Sequence, residues 1–308
     1  MKQRVISGAI YVLLLVCFFL IKIFAPAPWG NLGFDVLIYF FSLVGTWEIL
    51  RAMQSSLAKT ERLIVTVFSI VCVPACAVCE ALLGYGIHVT AVGFFLLALA
   101  LLCLLVARNE ESTMENIGSA FVCAVYPTLL LCLMVLANHL GETPIFTTAK
   151  LNNSTELLSS STLAMLFIFI VSPISDVAAF FTGMGLRKKF PKKLAPTISP
   201  NKTVVGFIGG VLGGAIAGAA IYFVYNAFVG GYANMGAKLP AYILVGLLAS
   251  VASAFGDLVE SAIKRQRGIK DMGNIMPGHG GVLDRIDGTM FATVVVYGAF
   301  ALANLLAI

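Results

Sequence analysis

Charge is what this chain has least of. Its 308 residues include 20 lysines and arginines and 15 aspartates and glutamates, so only 11% of positions are charged and the net balance is +5. An ordinary soluble domain carries roughly 25% charged residues. With 59% of positions apolar, too little polar surface exists to cover a water-soluble fold, which excludes a cytosolic globular enzyme. Intrinsic disorder is excluded on the same ground. Nucleic acid is not an expected partner either, because +5 over this length is a weak basic balance.

Three further absences narrow the class. The period-two alternation of a β-barrel is missing, which leaves helices as the spanning elements. A Walker-type phosphate loop needs Gly-Lys followed by Ser or Thr, and none is present. All seven cysteines lie inside apolar runs; Cys76 and Cys79 form a C-x-x-C, but with no second pair and no nearby histidine. They read as small hydrophobes in helix packing rather than as a zinc or redox site.

Long apolar runs are what the chain does have. Crossing about 30 Å of hydrocarbon takes roughly 20 helical residues. Nine runs qualify: 5–25, 32–50, 63–84, 88–107, 117–138, 161–186, 204–230, 239–258 and 289–307. The expected fold is all-α, a polytopic membrane protein of about nine transmembrane helices. Of the 20 basic residues, all but Lys22, Lys150 and Lys238 lie at the N-terminus or after the second, fourth, sixth and eighth runs. Cytoplasmic loops carry the basic excess, so the N-terminus is expected in the cytoplasm and the C-terminus outside. Ala25-Pro26-Ala27 resembles a signal-peptidase site, but Val5–Ile21 exceeds a usual signal core and Pro26 disfavours cleavage. The first helix is expected to stay in place.

The polar residues divide the chain in two. Residues 1–160, with five spans, read as a scaffold. Asp35, Glu48 and Glu80 are expected near the interfaces, where they stay hydrated, with a polar cavity as the alternative. The connection 139–160 reads as solvated linker. Residues 161–308, with four spans and cytoplasmic connections 187–203 and 259–288, read as the catalytic region. Asp176 follows Pro173 within the sixth run, and its functional and structural readings both stay open.

The run Arg187–Lys193 reads as an anchor to anionic membrane lipid. Ser199-Pro200-Asn201-Lys202-Thr203 reads differently, as hydroxyls and a lysine in a turn before the seventh span, suited to a phosphate. Gly206, Gly210, Gly214 and Gly218 then recur every four residues, with Gly209 and Gly213 beside them. That spacing lets helix backbones approach, either within the chain or across a homodimer.

Chemistry concentrates in residues 256–288. Asp257, Ser261 and Lys264 share a helix face at i, i+4 and i+7. Glu260 lies four before Lys264, and an ordinary ion pair is its plain reading. Met276–Gly281 is too glycine-rich for a helix; its amides suit an anion, and His279 is a potential donor. Asp284 and Asp287 fall on one side of a helix start, with Arg285 pointing elsewhere. Carboxylates suit Mg²⁺, and lysine and arginine suit phosphates. Together they indicate phosphoryl or nucleotidyl transfer from a soluble nucleotide to a lipid.

The same stretch resembles the signature of the phosphatidate cytidylyltransferases, or CDP-diacylglycerol synthases. It supplies Ser261, Lys264-Arg265, Lys270-Asp271, Gly273, Pro277, His279-Gly280-Gly281, Asp284-Arg285 and Asp287 without a gap. Ser175-Asp176, Phe180-Phe181 and Ile198–Thr203 are similar to further family segments. The family often has arginine where this chain has Met184, and glutamate where it has Val205. The resemblance implies that CTP and phosphatidate give CDP-diacylglycerol and pyrophosphate with Mg²⁺, and a second cation as an option. It implies Asp257 and Asp284 as metal ligands, with Asp287 completing or orienting them, and Lys264 in catalysis. Ser199, Lys202, Thr203, Ser261, Arg265, Lys270, His279 and Arg285 would bind substrate phosphates. The location implied is a bacterial inner membrane, with the site facing the cytoplasm.

Three rival readings differ in their residues. The CDP-alcohol phosphotransferases need Ala-Arg and later acids after Asp-Gly, whereas Asp287-Gly288 leads into Thr289-Met290-Phe291-Ala292. A CTP-dependent polyprenol or phytol kinase would share a nucleotide site at the membrane. A secondary transporter would gather its polar residues near the midplane and show a repeat; here they gather at one face.

Overall fold

Lipid offers no partner to a backbone N–H or C=O, so each apolar run must close its own hydrogen bonds as a helix. The computed structural model describes residues 2–306 except 27, 109, 142, 144–145, 147–158, 230–234, 277 and 279. Among the described residues, nine helical spans are long and apolar enough to cross a membrane. The chain is an integral membrane protein.

One compact unit comprises Met1–His139 and Gln266–Ile286. It contains α1 (Lys2–Phe24), α2 (Trp29–Ala52), α3 (Lys59–Leu83) and α4 (Gly86–Ala107). A fifth span is split into α5 (Met114–Ala124) and α6 (Leu130–Asn138) by wider π-type turns at Val125–Leu129. Pro127 sits in those turns and lacks the N–H that a regular helix would use. Phe34, Leu37, Ile38 and Phe41 of α2, with Val65 and Val73 of α3 and Leu131 and Val135 of α6, are buried. Helices in lipid are also held by small polar groups that satisfy one another. Thr46 donates to Ser69 at 2.9 Å, and the Thr46 and Thr128 hydroxyls stand 3.2 Å apart.

Of the three acids expected near the interfaces, Asp35 and Glu48 are buried within this unit, whereas Glu80 is half-buried in the last turn of α3. Asp35 is buried, with His139 at 2.7 Å and the Asn138 amide at 2.8 Å. Glu80 turns back to accept the Gly86 N–H at 2.8 Å, across the left-handed Gly84 that ends α3. Glu48 is wholly buried. Asp35 and Glu48 each found donors inside the protein, which offsets the cost of burying a carboxylate.

The other unit comprises Leu140–Arg265 and Asp287–Ile308. Its helices are α7 (Ser160–Leu186), α8 (Val204–Val229), α9 (Met235–Gln266) and most of α10 (Leu283–Leu305). Between α7 and α8 lies a short antiparallel ribbon, β1 (Lys193–Ala195) and β2 (Ser199–Thr203), pairing Lys193 with Thr203 and Ala195 with Ser199. The expected turn before the seventh span is therefore a strand that runs straight into α8. The expected linker is docked where it is described: Thr143 donates its N–H to Ser160 at 2.8 Å, and Tyr242 donates to the Phe146 carbonyl at 2.6 Å.

The glycine stripe of α8 is used within the chain. A Cβ at Gly210 would press on Ala179 and Ser175 of α7 at 3.1 Å, and one at Gly214 or Gly218 would collide with α9 at Ser250 or Tyr242. Bare backbone is what lets three helices meet here. Two span ends also differ from the hydropathy reading: α9 continues to Gln266 and α10 begins at Leu283, so both carry charged residues on their ends.

Candidate active site

The close packing of α7, α8 and α9 leaves a cavity of about 610 Å³ near the ribbon. Its polar lining includes Asp176, Arg187, Lys193, Lys202, Thr203 and Asp257, and its apolar lining includes Phe180, Met184 and Phe207. Arg187 and Lys193, expected as lipid anchors, thus belong to the same wall as the phosphate-type segment. Met184 puts an apolar side chain on the wall where the family often has arginine, and Arg187 lines it three residues on.

The ribbon sets the positions of Lys202 and Thr203. Thr203 is buried at the end of β2, and its hydroxyl oxygen accepts the Gly206 N–H at 3.1 Å, capping α8. Its hydroxyl hydrogen is still available to donate. Lys202 reaches the Asp257 carboxylate, with Nζ 2.5 Å from Oδ2. Both side chains are about a third exposed, so the pair faces the cavity rather than the core. Ser261, one turn along α9, donates to Asp257 Oδ1 at 3.3 Å.

Asp287 comes close to this cluster through small residues. A Cβ at Gly256 would stand 2.6 Å from the Asp287 carbonyl, and one at Gly288 would stand 3.0 Å from the Ser172 hydroxyl. Ser172 and Ser253 bond each other at 2.8 Å beside them. The half-buried Asp287 side chain takes the Gly288 N–H at 2.7 Å and lies near Glu260, Asp257 and Lys264, whose charges act on it. Lys264 bonds buried Glu260 at 3.1 Å. Glu260 thus makes the ion pair its spacing suggested and also sits against Asp287, which spacing did not reveal. Arg265 is exposed and donates to the Ile198 carbonyl, just before β2, at 3.3 Å. Ser199 is half-buried in β2.

The remaining signature residues belong to the first unit. Asp284 Oδ2 accepts the N–H of Met272 at 2.9 Å and of Gly281 at 2.7 Å, so this carboxylate ties down the loop that precedes it. Met276 and Gly280 pair across that loop, and Gly278 and Gly280 adopt the positive φ that only glycine takes readily. Lys270 and Arg285 are exposed. His279 lies outside the described residues. Glu48, which no sequence pattern links to this loop, accepts the N–H groups of Val282 and Leu283.

Among the described residues no group of three or more His, Cys, Asp or Glu is arranged to hold a metal. Mg²⁺ asks for less, because it typically takes one or two carboxylates and fills its shell with water and phosphate oxygens. Asp257 on the cavity wall with Asp287 beside it fits that need.

These features define a class: a polytopic helical membrane protein whose lysines, arginines and carboxylates converge on a cavity lined on its other walls by apolar side chains. A family model described as the cytidylyltransferase family matches residues 2–303. The chain belongs to that family. It is 30% identical over 311 residues to a phosphatidate cytidylyltransferase of Bacillus subtilis (strain 168), covering 98% of each chain. It is 44% identical over 133 residues to one of Brucella suis biovar 1 (strain 1330), covering 43% of this chain and 45% of the relative. Against one of Staphylococcus epidermidis (strain ATCC 12228 / FDA PCI 1200) it is 41% identical over 127 residues, again 45% of the relative.

Proposed function

We propose that this protein transfers CMP from CTP to phosphatidate, giving CDP-diacylglycerol and pyrophosphate. The observation that carries the reading is the cavity in which Asp257, paired with Lys202, faces apolar side chains of α7 and α8. A phosphate with an acyl tail needs both kinds of wall. The lipid phosphate oxygen forms a bond to the α-phosphorus of CTP while the α–β bridging bond breaks, and pyrophosphate leaves with the electron pair. The nucleophile is already anionic, so no strong general base is required. Catalysis is then positioning and charge neutralisation. Lys202 and Lys264 neutralise phosphate oxygens, joined on their motif positions by Arg265, Lys270 and Arg285. Ser199, Thr203, Ser261 and His279 are the hydrogen-bond donors of this reading.

When bound, Mg²⁺ supplies further neutralisation of phosphate charge. Asp257 would hold it with Asp287 completing or orienting its shell, and Asp284 stands as a second ligand on its motif position. The protein resides in a bacterial inner membrane, with Lys202 and Asp257 on the cytoplasmic side, where CTP is available. The α8 glycines are taken up by α7 and α9, so a homodimer would use other helix faces.

Purified protein in liposomes with Mg²⁺, phosphatidate and CTP labelled with ³²P tests the reaction. Label at the α position enters lipid if cytidylyl is transferred. Entry of γ label instead would establish the lipid-kinase alternative and overturn this reading.

A further inference from the structure

Glu48 lies in α2, 234 residues before its partner Val282. Its side chain is wholly buried, yet both carboxylate oxygens are engaged. Oε1 accepts the Val282 N–H at 3.0 Å and Oε2 accepts the Leu283 N–H at 2.9 Å. These amides stand at the start of α10, where a helix has N–H groups without partners of its own. A carboxylate there also meets the positive end of the helix dipole.

The same carboxylate explains two glycines of the preceding loop. A Cβ on Gly273 would stand 2.8 Å from Glu48 Cδ, and one on Gly281 would stand 2.6 Å from it. Neither glycine has positive φ; Gly268, Gly278 and Gly280 are the loop glycines that do. Backbone conformation therefore does not demand glycine at 273 and 281. The seat of Glu48 does. Asp284 holds the loop from its other side, through Met272 and Gly281.

We infer that Glu48 is a positioning residue of the active site: it seats the start of α10 and the glycine loop, and thereby fixes Asp284 and Arg285. This rests on the cytidylyl-transfer reading for its catalytic consequence. Glu48 itself touches no reacting atom and acts through backbone amides.

Four purified variants test it: Glu48→Ala, Glu48→Gln, Gly281→Ala, and Glu48→Ala combined with Gly281→Ala. Amide hydrogen exchange at Val282 and Leu283 is expected to accelerate about tenfold or more in Glu48→Ala, because the two acceptors are gone. The kcat of folded Glu48→Ala should fall about tenfold or more, with KM for CTP within about threefold, since misplaced groups lose contacts made in the transition state. Glu48→Gln keeps the volume and one good acceptor, and should fall between. Gly281→Ala should speed exchange when Glu48 is present and add less than about twofold once Glu48 is alanine, because the two share one contact.

Wild-type kcat in folded Glu48→Ala would overturn the positioning role, as would full recovery by Glu48→Gln. Unchanged exchange at 282–283, or an equal effect of Gly281→Ala in both backgrounds, would overturn the contact itself. Should Glu48→Ala fail to fold, Glu48→Gln carries the same comparison. If wild-type protein makes no CDP-diacylglycerol, the reaction assigned above fails, while the exchange measurements still decide the anchor.

Discussion

Asp257 holds a cation through one oxygen and a hydroxyl through the other, with Lys202 at 2.5 Å and Ser261 at 3.3 Å. Neither partner is needed to keep α9 helical, because Asp257 and Ser261 are already one turn apart on the same helix. The pair is partly exposed, so as a surface ion pair it would contribute only about 0–1 kcal/mol to stability. Its value lies in the charge it places on the cavity wall. Asp257→Asn should therefore leave a protein that extracts and melts like wild type while lowering CDP-diacylglycerol synthesis about 100-fold or more, the scale of losing one preorganised electrostatic group of an active site. Lys202→Met should fall on the same scale. Combined, the two substitutions should lose far less than the product of their separate losses, since groups acting as one unit are not additive. Initial rates in mixed micelles at saturating CTP would measure this, and near-normal turnover in Asp257→Asn would remove that carboxylate from the site.

Elements meet here because glycine removes side chains where backbones must touch. Gly214 and Gly218 of α8 face Ser250 and Tyr242 of α9, and neither position has room for a Cβ. Gly118 in α5 has nothing within 4 Å of where its Cβ would be. Gly214→Val should destabilise the protein by about 1–3 kcal/mol or more through overpacking, seen as a lower melting temperature in detergent. Gly118→Ala should stabilise by about 0.5–1 kcal/mol, the helix preference alone. Equal effects at the two sites would mean that α8 does not pack as described. The stripe was legible in the sequence as close packing, but spacing alone could not say which helix it packs against. Span number was legible for a similar reason, since a hydrocarbon slab demands a fixed apolar length. Span ends were less so: α9 and α10 carry Lys264, Arg265 and Asp284 on the ends of their helices, and hydropathy stops where charge begins. The ribbon before α8 was missed because β1 has three residues and β2 five, too few to show a period. Glu48 was unreadable for a different reason. A single acid in an apolar helix carries no pattern that points to amides 234 residues away, whereas Asp257, Ser261 and Lys264 declare their common face through helix periodicity.

For the whole molecule, the distribution of charge and the parity of the spans should agree on which side the phosphate chemistry occurs. Most of the chain is apolar, and its basic residues gather at the N-terminus and after the even-numbered spans. Among the described residues the spans number nine, so with every span crossing, the ribbon and the loop before α10 leave the membrane on the same side. The positive-inside bias predicts that side to be the cytoplasm, as the CTP-consuming site proposed above would require. Reporter cysteines in a background lacking the seven native ones can test this. Phe190 precedes the ribbon and is half exposed, and Tyr85 between α3 and α4 is similarly exposed. In sealed right-side-out vesicles, Phe190→Cys should resist a membrane-impermeant maleimide until the vesicles are opened, whereas Tyr85→Cys should label at once. The reverse pattern would put Lys202 and Asp257 outside, away from CTP. Labelling of both from one side would mean that an odd number of the spans between them fails to cross, and the even-span rule for the basic loops would fall with it.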